Sequence, residues 1–323
     1  MNFTPIDRSG LVEGYCIIKT IDKKTSARGD TYLDMTLGDK DGEINAKLWS
    51  YNEILHGSYN VNDIVKIRGT ISPYNGINQL KIDRIRPTNE QDGVNPDDFV
   101  PSADYTGRQM FDELMNIAEN FADADLKKLV TTIYKRCERD LLYWPAAFKL
   151  HHAIRGGLLM HTLSIVRLAQ GVCKLYSFVD SDLLIAGAML HDISKLDEYE
   201  VADSGIVSGY SVRGNLLGHL AEGAMFIRKV SEEIGINPEV SMLIEHMILS
   251  HHGEPEHGAA VRPMFLEAEL LSQLDMLDSR VYEIAEALDA TEAGDFSGRL
   301  WALDNRKIYN HARNTNNRKV NLF

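Results

Sequence analysis

The sequence predicts a multidomain chain: a small all-β barrel followed by an all-α domain. Three observations predict it. Apolar residues alternate with polar ones in short runs up to about residue 90. Prolines Pro87, Pro96 and Pro101 then fall among Asn, Asp and Gly. From Gly107 the apolar residues recur at helical spacing instead. A switch from the strand period to the helix period is a strong boundary signal. The 323 residues suit about two domains.

Taken in order, the run from Val12 to Ile21 is β-rich. Leu33, Met35 and Leu37 then alternate with Tyr32, Asp34 and Thr36. The stretch Asp39-Lys40-Asp41-Gly42 holds an Asp-Gly hairpin signal. Ile44, Ala46 and Leu48 alternate with Asn45, Lys47 and Trp49. After a short connection at 52–58, Val65, Ile67 and Ile71 oppose Lys66 and Arg68. Tyr74-Asn75-Gly76 makes a second turn before the strand Ile77 to Arg86. Five short strands with an irregular piece between the third and fourth fit an oligonucleotide-binding (OB) barrel. Helices are expected at about 107–120, 124–142, 157–176, 181–191, 215–234, 238–250 and 264–290. The resulting domains are 1–88 (barrel), 89–106 (linker), 107–298 (helical domain) and 299–323 (basic tail). The tail carries Arg299, Arg306, Lys307, Arg313, Arg318 and Lys319 against Asp304. It reads as a frayed terminus or as an arm for substrate phosphates.

Composition narrows the class. The formal charge is −13, which argues against a protein that coats nucleic acid with cations. Residues 1–90 hold 12 basic and 12 acidic side chains, so residues 91–323 carry the whole deficit. The barrel is therefore neutral, and local grip on a strand stays open. Hydrophobic residues make up 44%, which excludes wholesale disorder. No apolar run spans a bilayer and no secretory signal is visible, so no membrane partner is expected. Cys16, Cys137 and Cys173 have no metal or redox spacing, which fits a reducing cytoplasm.

Ten of the eleven histidines lie in the helical half, and only His56 lies outside it. His161 falls on the apolar stripe of Leu158, Ile165, Leu168 and Val172. The faces of Leu184, Ile185, Ala188 and Met189, and of Ile244, Met247 and Ile248, lead to His191-Asp192 and to His251. Polar groups on buried faces need partners, and a shared metal would satisfy several together. Imidazole with carboxylate suits Mn, Fe, Zn or Ni. His246 and His257 are expected in solvent.

With AMLHDISKL (188–196), GGLLMHTLSIV (156–166), GHLAEG (218–223) and LSHHG (249–253) in order, the chain resembles the HD-domain metal-dependent phosphohydrolases. With the barrel in front, it resembles the YhaM-type 3′-to-5′ exoribonucleases over about residues 10–290. The resemblance implies a first metal on His161, His191, Asp192 and Asp275. It implies a second on His219, His251 and His252, with Asp192 shared. Asp278 lies on the helix face of Asp275 and Leu271, so spacing does not separate the two aspartates; alignment with the family favours Asp275. Asp192 and Lys195 are the expected catalytic residues, Lys195 as stabiliser of transition-state charge or, alternatively, as a plain helix-end lysine. The cofactor is one or two divalent ions, Mn²⁺ first, with Co²⁺, Fe²⁺, Ni²⁺ or Mg²⁺ as alternatives. Metal-activated water then needs no Ser or Cys nucleophile.

The outward barrel residues Tyr32, Lys47, Trp49, Lys66 and Arg68, with Tyr74, pair rings for stacking with cations for phosphates. The alternative is cross-strand packing. His151 and His152 are further candidates for contact with substrate. The expected function is hydrolysis of single-stranded RNA, with single-stranded DNA open, to nucleoside 5′-monophosphates. The alternative is a nucleotide or cyclic-nucleotide phosphohydrolase with the barrel as an interaction module. A homo-oligomer is an open option.

Overall fold

The computed structural model describes residues 4–5, 10–39, 42–74, 76–148 and 152–314, with backbone alone at 4–5 and 257. The chain divides into two compact units, Met1–Ser102 with Val201–Ser208, and Ala103–Glu200 with Gly209–Phe323.

The first unit holds β1 (Thr4–Pro5), β2 (Leu11–Thr25), β3 (Thr31–Asp39), β4 (Gly42–Leu48), the short α1 (Glu53–His56), β5 (Ile64–Tyr74) and β6 (Ile77–Pro87). β2 serves two neighbours. Its first half pairs with β5, from Leu11↔Thr70 to Ile17↔Ile64, and its second half with β3. A register shift between Ile18 and Thr20 bends it between those roles. β3 and β4 form the expected hairpin, β4 runs parallel to β6, and β6 pairs with β5. The circuit β2-β3-β4-β6-β5 returns to β2, so the barrel is closed and its edges are paired. The inward residues are those the alternation marks: Leu33, Met35, Leu37, Ala46, Leu48, Val65 and Ile67 are buried together. At the β5–β6 bulge a Cβ on Gly69 would sit 2.3 Å from the Lys81 carbonyl oxygen, so only glycine fits. The 89–106 segment holds two short 3₁₀ turns, Glu90–Asp92 and Pro96–Asp98. Asp92 accepts from Arg86 at 2.6 and 2.7 Å and from the Tyr15 hydroxyl at 3.1 Å.

The second unit is helical: α2 (Gly107–Glu119), α3 (Ala124–Leu141), α4 (Gly157–Leu175), α5 (Ser181–Leu190), α6 (Lys195–Glu198), α7 (Val212–Ile234), α8 (Pro238–Ser250) and α9 (Leu266–Asp289). Local chemistry starts them. Thr106 and Gln109 form a capping box before α2, and Asp123, Asp180, Ser211 and Asn237 cap α3, α5, α7 and α8. α4 is buried all round from Gly157 to Val166, and α5 from Leu183 to Leu190. These two form the centre of the unit, rather than surface helices with one apolar stripe. The sequence reading assigned nothing to α6 or to the hairpin β7 (Tyr199–Val201) and β8 (Val207–Tyr210). They are too short for periodicity to show. Among the described residues no helix is long and apolar enough to cross a membrane.

The described part of the basic tail is folded, which corrects the frayed-terminus expectation. Phe296 bridges Tyr309, Leu300 bridges Arg306, and Leu303 is buried. The turn is written in the sequence. Asp304 and Asn305 have φ of 56° and 57°, and the Arg306 amide donates to the Leu303 carbonyl at 3.0 Å. Two successive positive-φ residues make a hairpin turn that Asp and Asn tolerate. Arg318 and Lys319 lie outside the described residues.

Candidate active site

Helix ends build most of the site. His191 is the C-cap of α5 and His251 the C-cap of α8. The last carbonyls of a helix lack intrahelical partners. Each imidazole uses one: His191 Nδ1 donates to the Ala188 oxygen at 2.9 Å, and His251 Nδ1 to the Ile248 oxygen at 2.8 Å. That bond fixes the tautomer and leaves Nε2 as a bare acceptor aimed forward. Carboxylates hold Nδ1 of two other rings. His161 Nδ1 donates to Asp278 Oδ2 at 2.8 Å. His219 Nδ1 donates to Glu198 Oε1 at 3.0 Å. His219 reaches it because Gly218, at φ 69°, kinks α7. A Cβ on Gly214 would lie 2.2 Å from the Glu198 carbonyl oxygen, so this glycine lets α7 approach α6.

The Nε2 atoms converge on Asp192, which is 3% exposed. Its Oδ2 lies 3.2 Å from His191 Nε2 and 3.7 Å from His161 Nε2. Its Oδ1 lies 3.5 Å from His219 Nε2 and 3.7 Å from His251 Nε2. One carboxylate therefore stands between two imidazole pairs. Asp275 Oδ1 is 3.1 Å from His161 Nε2. The two aspartates that spacing leaves unseparated thus sit on opposite edges of the same ring: Asp275 at Nε2 and Asp278 at Nδ1. His219, His251 and His252 form a further donor group, as do His161, His191 and Asp192, and His191, His251 and Asp275.

The electrostatics follow from burial against charge. Burial opposes ionisation of Asp192, but Lys195 and His191 outweigh it and hold the carboxyl well below its usual range. Asp275 is likewise held low, by His161 against its burial. Burial works against a charged His161 too, yet Asp275 and Asp278 raise it to about 10. His251 and His252 go the other way, lowered by burial, and stay neutral. Neutral imidazoles and ionised carboxylates are the ligand forms, so His161 must lose a proton before it binds an ion.

The residues fit a metal. Asp192 Oδ1, His219 Nε2 and His252 Nδ1 are buried and accept no hydrogen bond in the protein. Buried polar atoms without partners are rare and costly. His161 Nε2 and His191 Nε2 lie 3.3 Å apart, close enough for both to reach one cation.

Lys195 is buried, so the plain helix-end reading fails. Its Nζ lies 2.6 Å from Asp192 Oδ2, and the Trp144 indole donates to its carbonyl at 2.9 Å. Burial alone would lower the Lys195 pKa, but Asp192 outweighs that and raises it. A cavity of about 550 Å³, ordinary for a small-molecule site, opens onto Asp192, Lys195, His251, His252 and Asp275.

Other candidates are placed differently. His152 is 2% exposed and bonds Asp278 through Nε2 at 3.0 Å. It braces the aspartate behind His161, the structural role that the sequence leaves open for it beside contact with substrate. His151 lies outside the described residues. His246 is not simply solvated: its Nε2 accepts from the Met264 amide at 3.0 Å and its ring packs on Phe265. The side chain of His257 lies outside the described residues. On the barrel, Tyr32 and Trp49 stack on each other at 4.5 Å, with the Lys47 ammonium 5.1 Å from the Tyr32 ring. Lys47 also pairs with Asp34 at 3.2 Å, and Lys66 with Glu13 at 3.0 Å. The expected cationic stripe is therefore largely neutralised by neighbours. Lys66 and Arg68 lie on β5, which pairs with β2 and β6 and not with the strands of Tyr32 and Trp49. Tyr74 is exposed at the end of β5. Sequence reading missed Glu198. Nothing in its spacing from Asp192 signals contact with His219, which requires α6 to pack on α7.

Residues 158–280 match the HD domain family, which implies dependence on a divalent metal. The barrel is similar to the second OB-fold domain of replication protein A from Methanococcus maripaludis (17% identity, 24% of this chain and 82% of that one, TM-score 0.20). Over nearly the whole chain the sequence is similar to relatives named 3′-5′ exoribonuclease YhaM. That of Listeria welshimeri is 38% identical over 93% of this chain and 95% of its own length. That of Bacillus subtilis is 36% identical over 92% and 94%. With the barrel, the HD domain and the histidine–aspartate cluster in one chain of matching length, this protein belongs to the YhaM 3′-5′ exoribonuclease family.

Proposed function

We propose that this chain is a divalent-metal-dependent exoribonuclease that shortens single-stranded RNA from the 3′ end and releases nucleoside 5′-monophosphates. The observation that carries the reading is Asp192, a buried carboxylate between two imidazole pairs with one oxygen left without a donor. His161, His191, Asp192 and Asp275 would hold one ion. His219, His251 and His252 would hold a second, with Asp192 shared. The carboxylates suit Mn²⁺ and the imidazoles suit Fe²⁺, Ni²⁺ or Zn²⁺, and of these Mn²⁺ is the ion we put first. When bound, the ions supply Lewis-acid activation of water and of the scissile phosphate. Asp278 and Glu198 keep the rings of His161 and His219 in register. Lys195 holds a proton on Nζ beside Asp192 and offers that charge to the phosphate oxygens as negative charge builds. The barrel supplies affinity for the strand, in part through the Tyr32–Trp49 face.

The test uses end-labelled RNA and DNA oligonucleotides with Mn²⁺, Mg²⁺, Co²⁺ or Zn²⁺. A ladder shortening from the 3′ end is expected, fastest on single-stranded RNA with Mn²⁺. Hydrolysis of free mononucleotides or cyclic nucleotides at least as fast as of RNA would overturn the exonuclease reading in favour of a nucleotide phosphohydrolase.

A further inference from the structure

The cavity over the histidine–aspartate cluster has a wall that the proposed chemistry does not use. Trp301 and Leu303 to Asn305, from the C-terminal hairpin, line it together with Arg280 of α9. The hairpin is built to hold Trp301 there. Leu303 is its anchor at 1% exposure, the Asp304-Asn305 turn closes it, and the Phe296 and Tyr309 rings pack at 5.0 Å across its base. Trp301 itself is 76% exposed, a large indole set in the cavity wall and left without cover. Arg280 makes no ion pair among the described residues, although α9 also carries acidic side chains. A flat apolar ring and a cation without an ion pair among the described residues, beside a phosphodiester site, match the two halves of a nucleotide, base and phosphate, although Glu283 and Asp304 line the same wall.

We infer that Trp301 is the stacking platform for the base of the 3′-terminal nucleotide, an inference that rests on the exoribonuclease reading. Stacking on an indole tolerates any base, as an enzyme that removes successive residues requires. Trp301 is thus a binding residue; the chemistry stays with the cluster.

The test uses the full chain with Mn²⁺ and two RNA oligonucleotides that differ only at the 3′ end, one intact and one abasic. Removal of the first residue is timed. The wild type should prefer the intact end by about tenfold in kcat/KM, the order of one stacking contact. Trp301→Ala should lose that preference, and Trp301→Phe should keep part of it. Both substrates meet the same enzyme, so general losses of folding or metal cancel in the ratio. The inference is overturned by a wild type indifferent to the missing base, by an undiminished preference in Trp301→Ala, or by an equal loss in Trp301→Phe. A wild type that shortens neither oligonucleotide removes the exoribonuclease reading, and this inference with it.

Discussion

The barrel face and the histidine cluster both gather polar and aromatic side chains, yet they are satisfied in opposite ways. On the barrel, Tyr32 stacks on Trp49, Lys47 pairs with Asp34, and Lys66 with Glu13. Every one of these contacts is complete at a partly exposed surface. In the helical unit, Asp192 Oδ1 and His219 Nε2 are buried and unanswered. An exposed group loses little by having water as its partner, so its pairing says little about function. A buried one has no such recourse, and its missing partner points to a ligand. The comparison makes the helical site the stronger functional signal, although the barrel looks more like a nucleic-acid binder at first sight.

The largest effect that would sharpen this contrast is loss of the shared ligand. Asp192→Ala should abolish RNA shortening and lower the Mn²⁺ bound per chain, measured by gel ladder and elemental analysis. Full activity in that variant would sink the metal assignment. Next come the residues behind the ligands. Glu198→Gln and Asp278→Asn should each weaken Mn²⁺ affinity or activity by about 10- to 100-fold, as for other groups that orient metal-binding histidines. A change below twofold would mean that backbone packing alone sets those rings.

A third effect is pH. Asp275 and Asp278, against the burial that opposes charge, raise His161 to about 10. Below that pH the metal-free ring is protonated, and a metal must displace the proton from Nε2. Mn²⁺ affinity should therefore rise with pH by up to about tenfold per unit from neutrality, levelling as pH nears the His161 value. Calorimetric titration at pH 7 and 8 reads it, together with the proton released. Affinity that falls as pH rises over that range would contradict the proposed role of His161.

The smallest effect belongs to the barrel. Trp49→Ala should weaken binding of single-stranded RNA by about tenfold, the lower part of the stacking range, since Tyr32 already occupies one ring face. Metal content should not move. With Lys47 and Lys66 already paired, the salt dependence of binding should be shallow, reporting only a few phosphate contacts. Unchanged affinity in Trp49→Ala, read by anisotropy, would return this face to plain cross-strand packing.

Much of the molecule was legible before any coordinates. The alternation of Leu33, Met35 and Leu37 marked one wall of the barrel, and those residues are buried. The helices carrying His161, His191, His219, His251 and Asp275 all form where the apolar spacing placed them. Spacing alone could not separate Asp275 from Asp278, because three residues along a helix keep the same face, and only the family resemblance favoured Asp275. The position of the His161 ring gives each its own edge. Glu198, the kink at Gly218 and the fold of the C-terminal hairpin were not legible. The first two depend on α6 meeting α7. The third hides behind a basic composition that reads as a tail, although its Asp304-Asn305 turn was there to be seen.

By itself the sequence determined the order of the two folds, the strand faces, the helix limits and the chemical kinds of ligand. These depend on local periodicity and on residue type, which neighbours along the chain already express. Tertiary structure decided which nitrogen of each imidazole is tied back and which faces the site. It also put Asp192 between two ring pairs and turned Trp301 into the wall of the cavity. Those are relations between groups remote along the chain, and they exist only once packing has chosen a single arrangement.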